Sequence, residues 1–105
     1  MIKRPKTVDQ YVELVKQAVF EVEELRLATE YDLEQMGGVM TFLDNLEEQV
    51  KGLWDSMVQG TYEFRDEDLP FMRIVNTADD RLLPFKFLLR VINETHRKGL
   101  DVDEV

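Results

Sequence analysis

The chain has 105 residues, 44% of them apolar and 33% charged, with no cysteine and a formal net charge of -9. That is enough for a single domain with one core, 1–105. It excludes disulfides, thiolate metal sites and a cysteine nucleophile, and a surplus of acids opposes general nucleic-acid binding. No apolar run reaches the roughly 18 residues that a membrane span needs.

Residues 1–6 carry Lys3, Arg4 and Lys6 and read as a flexible basic start. No apolar stretch follows them, so they do not read as a secretory signal, and the expected setting is cytoplasmic. Thr7-Val8-Asp9-Gln10 has the spacing of a capping box, with the Thr7 hydroxyl facing an early backbone N–H and Gln10 reaching back. A helix over about 8–36 follows, and a second over about 39–59.

Both helices carry apolar residues in alternating steps of three and four. The first has Tyr11, Val15, Ala18, Val22 and Leu25, with Thr29 continuing the spacing. The second has Val39, Leu43, Leu46, Val50, Leu53 and Met57. At about 100° per residue each set makes one stripe. Gly37-Gly38 is expected to end the first helix and open the second, so that the stripes zip into an antiparallel hairpin. The far side of the second helix is polar, and Gly52 on it costs about 1 kcal/mol relative to alanine. Glu47 and Lys51 form a favourably ordered i,i+4 pair.

Phe20, Leu27 and Tyr31 fall opposite the seam of the first helix. Three large side chains on a face that should be wet need a cover. The expected cover is the C-terminal part of the chain; the alternative is a partner helix or a second copy, as in a homodimer.

Residues 61–67 break the helical pattern and read as an ordered loop anchored by Tyr62 and Phe64. Leu-Pro-Phe occurs at 69–71 and again at 83–85. Proline is tolerated in a first helical turn, so the triplets are expected to open a short helix near 69–77 and a medium one near 83–98. Asp68, and Asp79 with Asp80, are placed to cap or favour those starts. His96, Arg97 and Lys98 then meet the negative end of the last helix, and Gly99 stops it. Residues 100–105 read as an acidic tail. The expected fold is all-α and bundle-like: a long hairpin with the two C-terminal helices packed on it.

Candidate chemistry is sparse. His96 is the only histidine and reads as a dipole-matched residue at a helix end. Ser56 is the only serine, and the sequence places it on the polar side of the second helix, away from His96. No phosphate-binding glycine loop occurs, and no Glu-x-x-His pair for a di-iron site. Asn93-Glu94-Thr95 has the glycosylation pattern, with no signal to bring it to that machinery. Glu21 and Glu24, with Asp44 and Glu47 on the next helix, resemble the paired acids of the all-helical nucleoside triphosphate pyrophosphohydrolases. That resemblance implies a magnesium-dependent nucleotide hydrolase; read as residues alone, the acids are the wet flanks of the hairpin.

Taken together, the sequence points to a non-catalytic interaction or adaptor protein that needs no cofactor. Its partner site is expected at Phe20, Leu27 and Tyr31, with self-association as an option. The alternatives are the magnesium enzyme and an acidic mimic that occupies a basic groove of a partner.

Overall fold

The computed structural model describes residues 4–30, 37–81 and 83–101, and these form four helices. They are α1 (Val8–Glu30), α2 (Gly37–Val58), α3 (Met72–Thr77) and α4 (Lys86–Lys98). Helix α1 packs on α2 and on α4, and α3 packs on α4. The all-α, bundle-like architecture expected from the sequence is the one observed.

The seam is where the spacing puts it. Tyr11, Val15, Ala18 and Val22 of α1 are buried, and they meet Leu43, Leu46 and Val50 of α2. Leu25, Leu53 and Met57 extend the stripe as partly buried side chains. The polar pairs along its edge give the direction. Glu23 pairs with Lys51 at 3.4 Å, and Arg26 pairs with Glu47 at 3.1 Å and Asp44 at 2.7 Å. Rising numbers on α1 meet falling numbers on α2, so the two run antiparallel.

The N-terminus of α1 is capped as expected, with one shift. The Gln10 backbone N–H donates to Thr7 Oγ1 at 3.1 Å. Gln10 reaches back past Thr7 and accepts from the Lys6 N–H at 2.9 Å. The Gly37-Gly38 expectation needs correcting. Both glycines lie inside α2, and the positive-φ glycines among the described residues are Gly60 and Gly99. Helix starts tolerate glycine, because the first N–H groups lack intrahelical partners in any case. The stretch 31–36, which was assigned to the first helix, lies outside the described residues, as do the first three residues and the last four.

Gly60, at φ 76°, makes the stop assigned to it. Its N–H bonds the Met57 carbonyl at 3.2 Å, and the Thr61 N–H bonds the Ser56 carbonyl at 2.9 Å, which together form a Schellman motif. Gly99, at φ 84°, closes α4 by donating to the Thr95 carbonyl at 2.7 Å.

Both Leu-Pro-Phe triplets lie just before their helices, each of which starts three residues later than expected. In each, leucine and phenylalanine turn inward and proline faces out. Leu69, Phe71, Leu83 and Phe85 are buried; Pro70 and Pro84 are exposed. The tight turn this needs is seen at the first triplet, where Met72 N–H bonds the Leu69 carbonyl at 3.0 Å. Neither helix start receives a side-chain cap. Asp68 instead accepts from Asn93, Asp79 from the Arg81 N–H, and Asp80 pairs with Lys86 at 2.9 Å. Lys86 also donates to the Ala78 carbonyl, joining the start of α4 to the end of α3.

Candidate functional site

The outer face of α1 stays open. Phe20 is 53% exposed and Leu27 54%. The expected cover from the C-terminal helices is not supplied. Helix α4 spans about 20 Å. It spends Leu88, Leu89 and Ile92 on the same core as Tyr11, Val15 and Ala18. Phe20 and Leu27 point some 180° away from that stripe. Tyr31, the third residue assigned to this face, lies outside the described residues.

Three of the four acids of the magnesium reading are drawn to other partners. Asp44 and Glu47 converge on the guanidinium of Arg26, and these hydrogen bonds hold its proton more tightly than usual. Glu47 also lies 3.7 Å from Lys51, as the i,i+4 spacing predicts. Glu21 accepts from the Gln17 amide at 2.9 Å, and Glu24 is exposed. A divalent ion needs carboxylates free to turn toward it; two of these four are already neutralised by a cation of the chain itself.

The loop after α2 makes the most organised polar feature. Tyr62 and Phe64 fold back onto Tyr11, which confirms the ring-anchored loop. Tyr11 stacks on Phe64 at 5.7 Å between centroids, and Tyr62 stands edge-on to both, at 5.6 Å and 5.2 Å. The Arg65 N–H donates to the His96 carbonyl at 3.1 Å, satisfying one of the open carbonyls at the end of α4.

His96 lies in the last turn of α4, at the helix end assigned to it, but it does more than face the dipole. It is buried, with Nδ1 2.6 Å from the Tyr62 hydroxyl. The Tyr62 oxygen lies 2.9 Å from that of Tyr11, and Tyr11 donates to the Ile92 carbonyl at 3.2 Å. Two hydroxyl protons and one imidazole proton serve these three bonds, and they close in one direction. His96 Nδ1–H donates to Tyr62, Tyr62 to Tyr11, and Tyr11 to Ile92. This fixes the Nδ1–H tautomer of neutral His96. Burial holds the imidazole below its ordinary pKa; Glu67 opposes that effect and Arg65 adds to it. Burial raises both tyrosines, Tyr11 further through its bond to Tyr62.

The same fold brings Ser56 and His96 to one cleft of about 510 Å³, which the sequence gave no reason to expect. Their hydrogen bonds go elsewhere: the Ser56 hydroxyl donates to the Leu53 carbonyl at 2.6 Å, and His96 Nδ1 serves Tyr62.

Asn93 is a further residue that sequence reasoning missed. It is buried, accepts from the Leu69 N–H at 2.7 Å and donates to Asp68 at 3.0 Å. Arg97 adds pairs to Asp66 at 3.2 Å and Asp68 at 3.4 Å. These bonds clamp the loop to α4 and remove the Asn93 side chain from any role as a glycan acceptor. On the opposite flank of the loop, Val8, Val12, Met57, Tyr62 and Phe64 line a smaller notch of about 190 Å³.

Comparison of the chain with known protein families, curated proteins and solved structures gives no match. The functional reading therefore rests on the residues and their geometry. They define an all-helical protein, with no helix among the described residues long and apolar enough to cross a membrane, that carries an open apolar helix face.

Proposed function

We propose that the chain is a non-catalytic interaction protein that docks an apolar, basic-edged segment of a partner on the outer face of α1. One observation carries this reading: Phe20 and Leu27, two turns apart, are both more than half exposed on a helix whose opposite stripe is sealed.

The charges choose the kind of partner. Asp9, Glu13 and Glu24 share that half of the helix, against a single base on it, Lys16. A two-fold pairing with a second copy would set these acids against one another. A partner edged with lysine or arginine would instead gain on-rate and register from them. Covering what remains exposed of Phe20 and Leu27 yields on the order of 1 kcal/mol each. Association costs about 4–15 kcal/mol, so the face needs either a weak, transient partner or further contact beyond these two residues.

The test uses a 14-residue peptide with leucine at helix-spaced positions and lysine elsewhere, beside a version with every leucine replaced by alanine. The leucine peptide is expected to bind the full chain more tightly by calorimetry, and Phe20→Glu with Leu27→Glu is expected to abolish that difference. Equal binding of the two peptides, or undiminished binding by the double variant, would remove the face from consideration. Light scattering over a range of concentrations is expected to give the monomer mass; a dimer lost in the double variant would instead assign the face to a second copy.

A further inference from the structure

We propose that the cleft between the end of α2, residues 61–70 and the end of α4 is a binding site for a primary alkylammonium group, either a free amine or the lysine side chain of a partner. His96 Nε2, Ser56 Oγ and the Glu67 carboxylate take its head, and Leu53, Leu69 and Pro70 its alkyl stem. No residue of α1 lines this cleft, so the proposal stands apart from the reading of the α1 face.

The histidine is the anchor. His96 is 6% exposed, and its Nδ1–H is spent on Tyr62. Nε2 has no hydrogen-bond partner among the described residues, yet it is not enclosed, and the ring forms part of the cleft wall. In the Nδ1–H tautomer this nitrogen carries a lone pair. A buried ring thus holds an open acceptor toward the cleft, a group that a ligand can satisfy. Burial lowers the pKa of the imidazole and so keeps the lone pair free near neutral pH.

The other polar groups of the wall accept as well. The Ser56 hydroxyl donates to the Leu53 carbonyl at 2.6 Å and that of Thr61 to the Ser56 carbonyl at 3.3 Å, so both oxygens have only lone pairs left. Arg65, the remaining side-chain donor of the wall, is turned to Glu63 at 3.4 Å and Glu67 at 3.9 Å. Asp68 lies 3.4 Å from Arg97, which it shares with Asp66. Three carboxylates of the wall, Glu63, Glu67 and Asp68, thus face two guanidinium groups, and one negative charge is left over. Such a wall is complemented by a head that carries one positive charge and only donors.

An ammonium meets that description, with three N–H groups and no acceptor. A guanidinium also has only donors, but it favours a carboxylate free to bind it through both oxygens. Asp68 is already held by Asn93 and Arg97, and Glu63 and Glu67 share Arg65. The neutral acceptors come singly, from α2, the loop and α4, which suits a point charge with rotating donors. Among the described residues no three His, Cys, Asp or Glu side chains are placed to hold a metal ion. The cleft, at about 510 Å³, falls in the range of small-molecule sites, and Leu53, Leu69 and Pro70 give the stem an apolar bed.

The test follows the imidazole nitrogen signals of the isotopically labelled full chain during titration with n-butylamine at neutral pH, where the amine is protonated. His96 is the only histidine, so the signals are unambiguous. A saturable shift at Nε2 is expected. Butanol lacks the charge, and butyltrimethylammonium keeps charge and stem but has no N–H; each is expected to bind about tenfold more weakly or worse. Ser56→Ala and Glu67→Gln leave the bonds among Tyr11, Tyr62 and His96 in place. Each is expected to weaken butylamine about threefold or more, with the amide spectrum unchanged. Nα-acetyl-lysine N-methylamide binding as tightly as butylamine would assign the head to a partner's lysine; its failure where butylamine binds would assign a free amine. Equal binding of butyltrimethylammonium would reduce the site to charge attraction and overturn it, as would undiminished binding by both variants. Tighter binding of butylguanidine, or a larger Nε2 shift from zinc or magnesium alone, would overturn the ammonium assignment. No Nε2 shift with either amine would overturn the proposal and leave the α1 face to its own peptide test.

Discussion

The hydroxyl of Tyr62 lies 2.6 Å from Nδ1 of His96, 34 residues further along the chain, and 2.9 Å from the hydroxyl of Tyr11 on another helix. One phenol thus ties the loop to α1 and α4 together. Tyr62→Phe keeps the ring contacts and removes both bonds, leaving His96 Nδ1–H without an acceptor and the Tyr11 oxygen without a donor. Groups stranded in this way cost about 1–3 kcal/mol. Tyr11→Phe also removes two of the three bonds, but Tyr62 can then turn its hydroxyl proton to His96 Nδ1 in the other tautomer, and Ile92 keeps its place in the α4 ladder, so no buried donor is stranded. Urea denaturation should therefore show a larger loss for Tyr62→Phe than for Tyr11→Phe; the reverse order would contradict the donor direction deduced for this chain.

The same cluster makes stability depend on pH at both ends. Burial holds His96 below its ordinary value, so the unfolded chain takes up this proton first as pH falls below about 6.5. The contribution of His96 is whole above that pH and is lost as pH falls from there through the folded value. The tyrosines behave in the opposite sense. Their values are raised, so their contribution is whole below about pH 10 and is lost as pH rises beyond it. Denaturation midpoints for the wild type should fall between pH 7 and pH 5, and His96→Asn, which keeps an N–H near the position of Nδ1, should flatten that fall. Tyr11→Phe should flatten the alkaline limb and leave the acid one in place.

Asn93 can be tested by a cycle. Its oxygen takes the Leu69 N–H at 2.7 Å and its amide serves Asp68 at 3.0 Å. Asn93→Asp keeps the acceptor for Leu69 but sets a second carboxylate against Asp68. Asp68→Asn alone loses little, since that carboxylate is more than half exposed. Combining the two restores a donor–acceptor pair. The double variant is expected to recover at least half of the stability lost in Asn93→Asp, and hydrogen exchange at the Leu69 amide should follow the same order. Strict additivity would show that the two side chains do not interact.

These cases also show where the sequence could be read and where it could not. The α1–α2 seam was legible because burial of Tyr11, Val15, Ala18 and Val22 against Leu43, Leu46 and Val50 repeats at the helical period, a local signal. Phe20 and Leu27 stood out as breaks in that same signal. The starts of α3 and α4 were misplaced because proline marks a turn as readily as a first helical residue, and the inward leucine and phenylalanine of each triplet chose the turn. The bonded roles of His96 and Asn93 were missed because their partners, Tyr62, Leu69 and Asp68, lie 24 to 34 residues away. Nothing local in the sequence names the loop residues that fold over them. The notch combines α1, α2 and the loop, and no periodicity in any one of them announces it.

Two glycines of similar surroundings should respond in opposite directions. Gly52 lies inside α2, has no positive φ, and a Cβ built there meets nothing within 4 Å. Alanine would fit unstrained and would narrow the unfolded ensemble, so Gly52→Ala is expected to stabilise by about 0.5–1 kcal/mol. A Cβ on Gly60 also meets open space, but this residue holds φ at +76° to close the Schellman motif. A side chain there is strained by its own backbone, and Gly60→Ala is expected to destabilise by about 1 kcal/mol. Since neither site offers a clash, the sign of each change reports backbone conformation alone. Paired urea melts read it directly: a stabilising Gly60→Ala would mean that the chain leaves α2 by a different turn, and the loop carrying Tyr62 and Phe64 would then lose the starting point that delivers both rings to Tyr11.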